Sequence, residues 1–265
     1  MAPAATYLDK ILAAHRADAA QDTRSLDQLV DAAKAAPPTR GFGDALRAHD
    51  GLAVIAEVKR RSPSKGDLHP DLDPTAVAQA YEAGGAACLS VLTDREFFGG
   101  SVADLQAARA ATTRPVLRKD FTVRAHDVCD ARTMGADAVL LIVAALDDAE
   151  LSDFHGLATE LQLDALVEIH DEAELERALA VGATLVGVNQ RDLVTFQVDH
   201  ARALRVGSAM PSDIVRIAES GIRDAADAAA LRDAGYDAIL VGETLVTAAD
   251  PAATLVALGS RPARP

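Results

Sequence analysis

The chain has 265 residues, 49% of them hydrophobic, and 26 Lys and Arg against 40 Asp and Glu give a formal net charge of −14. That much apolar material supports a large core and argues against disorder, while the acidic balance argues against a nucleic-acid surface, so any anionic ligand must meet a local positive site. No apolar run approaches the ~20 residues of a spanning helix, the start MAPAATYLDK lacks the pattern of a secretory leader, and Cys88 and Cys129 fall in no metal-binding spacing; a cytoplasmic protein with reduced packing cysteines, no metal and no membrane partner is expected.

Residues 5–34 carry Leu8, Ile11 and Leu12 at helical spacing and predict two helices parted near Asp22–Ser25. Pro37 and Pro38 close that segment, and a short helix over 44–48 leads to Gly51. From there strands are predicted near 53–59, 87–92, 115–119, 137–143, 163–169, 184–188, 213–218 and 237–241. Helices are predicted near 74–83, 101–111, 125–133, 147–160, 171–181, 199–206, 223–233 and 250–258. Runs such as AVLLIV and AILV fit parallel strands buried on both faces.

A repeat supports this count. AGGAACLSV, MGADAVLLI, VGATLVGV and AGYDAILV place Gly85, Gly135, Gly182 and Gly235 just ahead of apolar strands, at intervals of about 50 residues, which is two βα units. Each glycine is expected to close the preceding helix in a left-handed conformation. The fold class is therefore α/β, a single (β/α)8 TIM barrel over 51–265 with an N-terminal helical extension, 1–50, packed on it as one structural domain. An open doubly wound sheet is the alternative, weakened because no GxGxxG opens its first helix.

In such a barrel the chemistry sits where strands end. The stretch AVIAEVKRRSPSKG puts Glu57 and Lys59 on one face, because side chains two apart in a strand point the same way. Later strands end at Lys119, at Glu168, at Asn189 and Arg191, and at Glu219 and Ser220. Each charge alone could brace the rim, as is expected of Asp120, and Asp94 and Glu96 read as rim charges. Together, two lysines and three glutamates converging on one mouth suit general acid–base chemistry. His170 points the same way as Glu168 if its strand continues.

A phosphate site is expected in the last two loops, where Gly221 and Gly242 allow close backbone approach. Arg191 and Ser64 would add charge and a hydroxyl, and Glu243 would offer its backbone N–H while its carboxylate turns away. Phe97, Phe98, Phe121 and Leu193 fall in mouth loops and could form a flat pocket for an aromatic ring, with loop packing as the alternative.

Seven segments in order, IAEVKRRSPSKG, PVLRKDF, LLIVAAL, LVEIH, GVNQRDL, IAESGI and LVGETLV, resemble the signature segments of the indole-3-glycerol phosphate synthase family of tryptophan biosynthesis. The resemblance implies a carboxy-lyase that closes 1-(2-carboxyphenylamino)-1-deoxyribulose 5-phosphate to indole-3-glycerol phosphate with loss of carbon dioxide and water and with no cofactor. It also implies roles. Lys119 would protonate the ketone oxygen, Lys59 would neutralise the substrate carboxylate, Glu168 would serve as base or relay, and Glu57 would orient the lysines. Asn189, Glu219 and Ser220 would hold substrate hydroxyls. Phosphate would meet Ser64, Arg191, Gly221, Gly242 and the Glu243 backbone, with Phe98, Phe121, Leu140 and Leu193 around the ring.

Burial and the nearby Lys59 charge are expected to lower the Lys119 pKa. Thr93-Asp94-Arg95 and residues 69–73 depart from the family pattern. Two competitors stay open. A phosphoribosylanthranilate isomerase would want a strand-end cysteine or aspartate pair, and both cysteines are misplaced for it; a barrel that binds sugar phosphate without turnover would be expected to lack Lys119 or Glu168. The partner is a small sugar phosphate, and a monomer or weak homodimer is expected.

Overall fold

The computed structural model describes residues 6–192 and 196–259. Three helices come first: α1 (Tyr7–Gln21), α2 (Leu26–Ala35) and α3 (Phe42–Arg47). Thr6 caps α1, with its hydroxyl accepting the Asp9 N–H and the Asp9 carboxylate answering on the Thr6 N–H. The third helix begins two residues earlier than the sequence suggests. Gly41 takes a left-handed conformation at its N-terminus, which lets Phe42 turn inward.

The strands are β1 (Ala53–Val58), a short antiparallel pair β2 (Arg61–Ser62) and β3 (Gly66–Asp67), then β4 (Cys88–Leu92), β5 (Val116–Lys119), β6 (Ala138–Ile142), β7 (Asp164–Ile169), β8 (Leu185–Asn189), β9 (Val215–Glu219) and β10 (Ala238–Val241). Apart from β2 and β3, all are parallel and close in the order β1-β10-β9-β8-β7-β6-β5-β4. The remaining helices are α4 (Pro74–Ala83), α5 (Val102–Ala111), α6 (Ala125–Met134), α7 (Asp148–Glu160), α8 (Glu172–Ala180), α9 (His200–Ala209), α10 (Ala225–Asp233), α11 (Glu243–Val246) and α12 (Pro251–Gly259). The expected eightfold βα barrel is present. The β2–β3 hairpin and the one-turn α11 were not foreseen from the sequence, because neither is long enough to show a period. Gly85, Gly135, Gly182 and Gly235 all have positive φ, between 79° and 95°, as the repeat requires.

The barrel interior is filled by one inward row from each strand. Ala53 and Ile55, Leu117, Leu140, Leu166, Leu185, Ile217 and Leu240 meet there, and Phe42 and Leu46 of α3 join the same cluster. Stepping two residues further along those rows gives Glu57, Lys119, Ile142, Glu168, Gly187, Glu219 and Gly242. The apolar layers thus lie below and the polar groups above. The other strand faces pack against the surrounding helices, with Val54, Leu89, Leu141, Val167 and Val186 buried against them. Cys88 and Cys129 are both free thiols and buried. No helix among the described residues is long and apolar enough to cross a membrane.

Candidate active site

At the C-terminal mouth of the barrel lies a cavity of about 530 Å³. It is lined by Glu57, Lys59, Lys119, Glu168, Asn189, Glu219 and Ser220, and by Ser64, Arg191, Gly221, Gly242, Glu243, Phe98, Phe121 and Leu140. The residues given a catalytic or substrate-binding role from the resemblance are therefore in one place except Leu193, which lies outside the described residues.

The strand period explains the charged floor. Glu57 and Lys59 share a face, with Lys59 Nζ 2.8 Å from Glu57 Oε1, and the Ser90 hydroxyl donates to Glu57 Oε2 at 3.3 Å. Burial pushes the Glu57 carboxyl up, but the positive charges of Lys59 and Lys119 outweigh it and hold it below the usual value. Lys119 Nζ lies 3.4 Å from Glu168 Oε2 and 3.7 Å from Glu219 Oε2. Asn189 donates its amide to Glu168 Oε1 at 3.0 Å and accepts the Arg191 N–H on its own oxygen at 3.0 Å.

These distances reverse one expectation. Burial alone would lower the Lys119 pKa, but Glu168, Glu219 and Glu57 surround the ammonium and hold its pKa above the ordinary lysine value. Glu219 moves the other way: burial, with the Glu168 charge beside it, pushes its carboxyl up to about 8. Its Oε1 has no hydrogen-bond partner among the described residues. Glu168 stays below the usual range because Lys119 and His170 offset its burial. At neutral pH the floor holds, beside Lys59, a charged Lys119, two carboxylates and one neutral carboxylic acid.

Two inward positions lack a side chain for a steric reason. A β-carbon on Gly187 would overlap Oε1 of Glu219, and one on Gly242 would stand 2.5 Å from Oε1 of Glu57. Both glycines are gaps in the inner rows that neighbouring carboxylates occupy.

The opposite rim is built from loops. Ser220 and Gly221 both have left-handed backbones, with φ of 66° and 74°, an uncommon state for serine that marks a shaped turn. Gln190 donates to the Ser220 carbonyl at 2.8 Å, and the Thr244 hydroxyl donates to the Ile222 carbonyl at 2.6 Å, which ties the last three mouth loops together. The Glu243 carboxylate does not turn away as expected. It stands between Lys65 Nζ at 3.6 Å and Arg191 Nη2 at 3.9 Å, because those cations attract it.

Phe98 and Phe121 face each other with centroids 6.2 Å apart. Phe97 does not line the cavity; it packs edge-on against Tyr7 at 5.9 Å. Asp94 is also not a rim charge. It is buried, accepts the N–H groups of Phe97 and Phe98, and pairs with His15 at 2.9 Å. Asp120 braces as expected, bound by Arg118 at 3.0 Å and by the Thr93 hydroxyl. His15, Asp94 and Asp120 lie close enough to share an ion, yet their acceptor oxygens already take hydrogens from Phe97, Phe98, Phe121, Arg118 and His15. Sequence reasoning missed Tyr7, Leu8 and Ile11 of α1, which form part of the cavity wall. Their helical spacing shows an apolar face but not what it covers.

The family model described as indole-3-glycerol phosphate synthase matches residues 8–258. The indole-3-glycerol phosphate synthase of Mycolicibacterium smegmatis is 50% identical over 266 residues, covering 98% of this chain and 97% of that one. The protein of the same name from Mycobacterium tuberculosis is 48% identical over 270 residues, covering 100% and 98%. Among solved structures, 3-hexulose-6-phosphate synthase superposes with a TM-score of 0.60 at 18% identity, over 79% of this chain and 98% of that one. A thiamine phosphate pyrophosphorylase from Pyrococcus furiosus gives 0.59 at 17%, over 78% and 93%. At such identities these two structures speak to the barrel fold alone.

Proposed function

The chain belongs to the indole-3-glycerol phosphate synthase family, and from that premise we propose that its cavity closes 1-(2-carboxyphenylamino)-1-deoxyribulose 5-phosphate to indole-3-glycerol phosphate. The observation that carries the residue roles is the position of Lys119, between Glu168 and Glu219 in the cavity that Phe98 and Phe121 also line.

The substrate's aromatic ring lies against Phe98, Phe121 and Leu140, and its phosphate lies at the loop rim. There Arg191, Ser64 and the backbone N–H groups of Gly221, Gly242 and Glu243 receive it, and the Glu243 carboxylate gives way. Bound at both ends, the substrate brings its ketone over the charged floor, and holding reacting atoms in this way removes much of the entropic barrier. The ring carbon bearing the carboxylate attacks the ketone carbon while Lys119 gives a proton to the ketone oxygen. Lys59, held by Glu57, neutralises the carboxylate until carbon dioxide leaves and returns its bonding pair to the ring.

Dehydration follows. Glu168 takes the proton from the carbon next to nitrogen and gives it to the departing hydroxyl, which leaves as water, with Asn189 fixing the carboxylate. Glu219, neutral at pH 7, donates a hydrogen bond to a substrate hydroxyl, and Ser220 holds another. A Lys119 with a raised pKa is fully charged before every turnover; its acid strength is set when the substrate enters among the carboxylates.

The test is to mix protein and substrate and follow indole fluorescence, since the chain contains no Trp. Growth of the signal is expected. A flat trace from folded protein that still binds the substrate would replace this reading with binding alone, and a flat trace without binding would point to another sugar phosphate.

A further inference from the structure

We propose that His170, held by Glu174, is a proton relay that serves Glu168 from the side away from the cavity; this rests on the ring-closing reading above. His170 directly follows β7. Glu174 sits in the first turn of α8, where its Oε2 accepts both the His170 backbone N–H at 2.7 Å and the ring at Nδ1 at 3.1 Å. An ionised carboxylate only accepts, so Nδ1 carries the hydrogen and Nε2 faces inward.

That inward nitrogen is buried and has no hydrogen-bond partner among the described residues, a costly state that packing alone does not explain. It lies 3.8 Å from Glu168 Oε1, within reach after a small shift. The other oxygen of Glu168 faces Lys119 at 3.4 Å. Glu174, His170, Glu168 and Lys119 therefore form a line from a partly exposed carboxylate, 17% accessible, to an almost fully enclosed one, 2% accessible, and on to the lysine. The charged groups facing the imidazole are Glu168 from β7, Glu174 from α8 and Arg202 from α9. Burial and Arg202 oppose its protonation, yet the two carboxylates outweigh them and raise its pKa.

Ring closure needs such a supply. The substrate enters with an ionised carboxylate that leaves as neutral carbon dioxide, and the ketone oxygen leaves as water. One hydrogen of that water comes from the carbon next to nitrogen, and the other must come from solvent. Each turnover thus takes up one proton while substrate or product fills the mouth. Protonated His170 gives its Nε2 proton to Glu168 and keeps the Nδ1 hydrogen that Glu174 holds, Glu168 restores Lys119, and Nε2 takes up a fresh proton from solvent. No bond to carbon changes in this relay.

A single-turnover experiment in weak buffer with a pH indicator reads both events, indole fluorescence for ring closure and indicator colour for proton uptake. In the parent, uptake keeps pace with indole formation. In His170→Gln and in Glu174→Gln it is expected to lag by about tenfold or more, and free imidazole is expected to restore the pace in His170→Gly. Uptake in step with indole formation in both Gln variants would overturn the relay. So would a slowing confined to His170 variants that imidazole does not relieve, which marks a structural role. Absence of indole from the folded parent would instead overturn the ring-closing reading, and the relay with it.

Discussion

Gly242 and Glu57 are neighbours across the β1–β10 pairing, and the space a side chain would need at 242 is filled by the Glu57 carboxylate. A β-carbon there would also come within 3.0 Å of Lys59 Nζ. Glu57 cannot move aside freely, because Lys59 and Ser90 both hold it inside the barrel. Gly242→Ala is therefore expected to displace the Glu57–Lys59 pair and lower kcat by ~10²-fold, the typical cost of an ångström-scale misplacement. Thermal melting should change little. Steady-state kinetics beside a melting curve tests this, and an unchanged kcat would mean that the pair tolerates displacement.

Glu219 makes a pH-dependent contribution of known sign. Its carboxyl is raised from the ordinary 4.5 to about 8, so the folded state binds a proton that the unfolded chain has already released between those values. Its stability contribution is complete below about pH 4.5 and is lost as pH rises through about 8. Glu219→Gln keeps the shape of the neutral acid and cannot ionise. The variant should lose less stability than the parent between pH 5 and 8, read from urea midpoints at each pH. Equal losses would show that Glu219 is ionised in the parent across that window.

The alternation of inner and outer positions is what made the floor legible before any coordinates. Glu57, Lys119, Glu168, Asn189 and Glu219 continue apolar rows by steps of two, and a charge on such a row has few structural reasons to exist. The glycine-led strands likewise announced the eightfold repeat. Three things were not legible. The pKa direction of Lys119 depends on which partners come within 4 Å, and its carboxylates arrive from strands far apart in sequence. The burial of Asp94 depends on α1 lying over its loop. Tyr7 and Ile11 show helical spacing, which says that a face is apolar and leaves open whether it covers a core or a ligand.

His15 links that first helix to the aromatic wall. Its imidazole pairs with Asp94 and lies 5.4 Å from the Phe121 ring, which in turn faces Phe98. Asp94 meanwhile holds the backbone of Phe98. His15→Ala should loosen the wall more than the floor, raising KM by about tenfold with a smaller change in kcat, since ring contacts of this kind contribute ~0.5–1.5 kcal/mol. Burial lowers the His15 pKa, but Asp94 and Asp120 outweigh it and raise it overall. The stability gained from the imidazolium is thus full at acidic pH and lost as pH rises through the raised value. Parent and variant melting temperatures should converge as the solution becomes alkaline. A KM equal to the parent's would remove His15 from the ring site.

Lys119 lies between Glu168 and Glu219, within 3.4 and 3.7 Å of them, and its removal should be felt in both chemistry and stability. Lys119→Ala takes away the proposed acid, so turnover is expected to fall by ~10²–10⁴-fold while binding stays measurable. It also strips the counter-ion from carboxylates whose burial was offset by that charge. Breaking a buried pair from one side costs about 3–5 kcal/mol, and the cost depends on pH in a defined direction. In the parent, Glu57 and Glu168 are held below the ordinary 4.5, so they stabilise the fold above that value and cease to do so as pH falls through their lowered values. In the variant those carboxyls take up protons more readily, and the stability gap from the parent should be widest near neutrality and close towards acid. Urea unfolding of both proteins at pH 7 and pH 4 measures the gap. A pH-independent gap would mean that the carboxylates find other partners, and turnover within about threefold of the parent would place the acid elsewhere in the cavity.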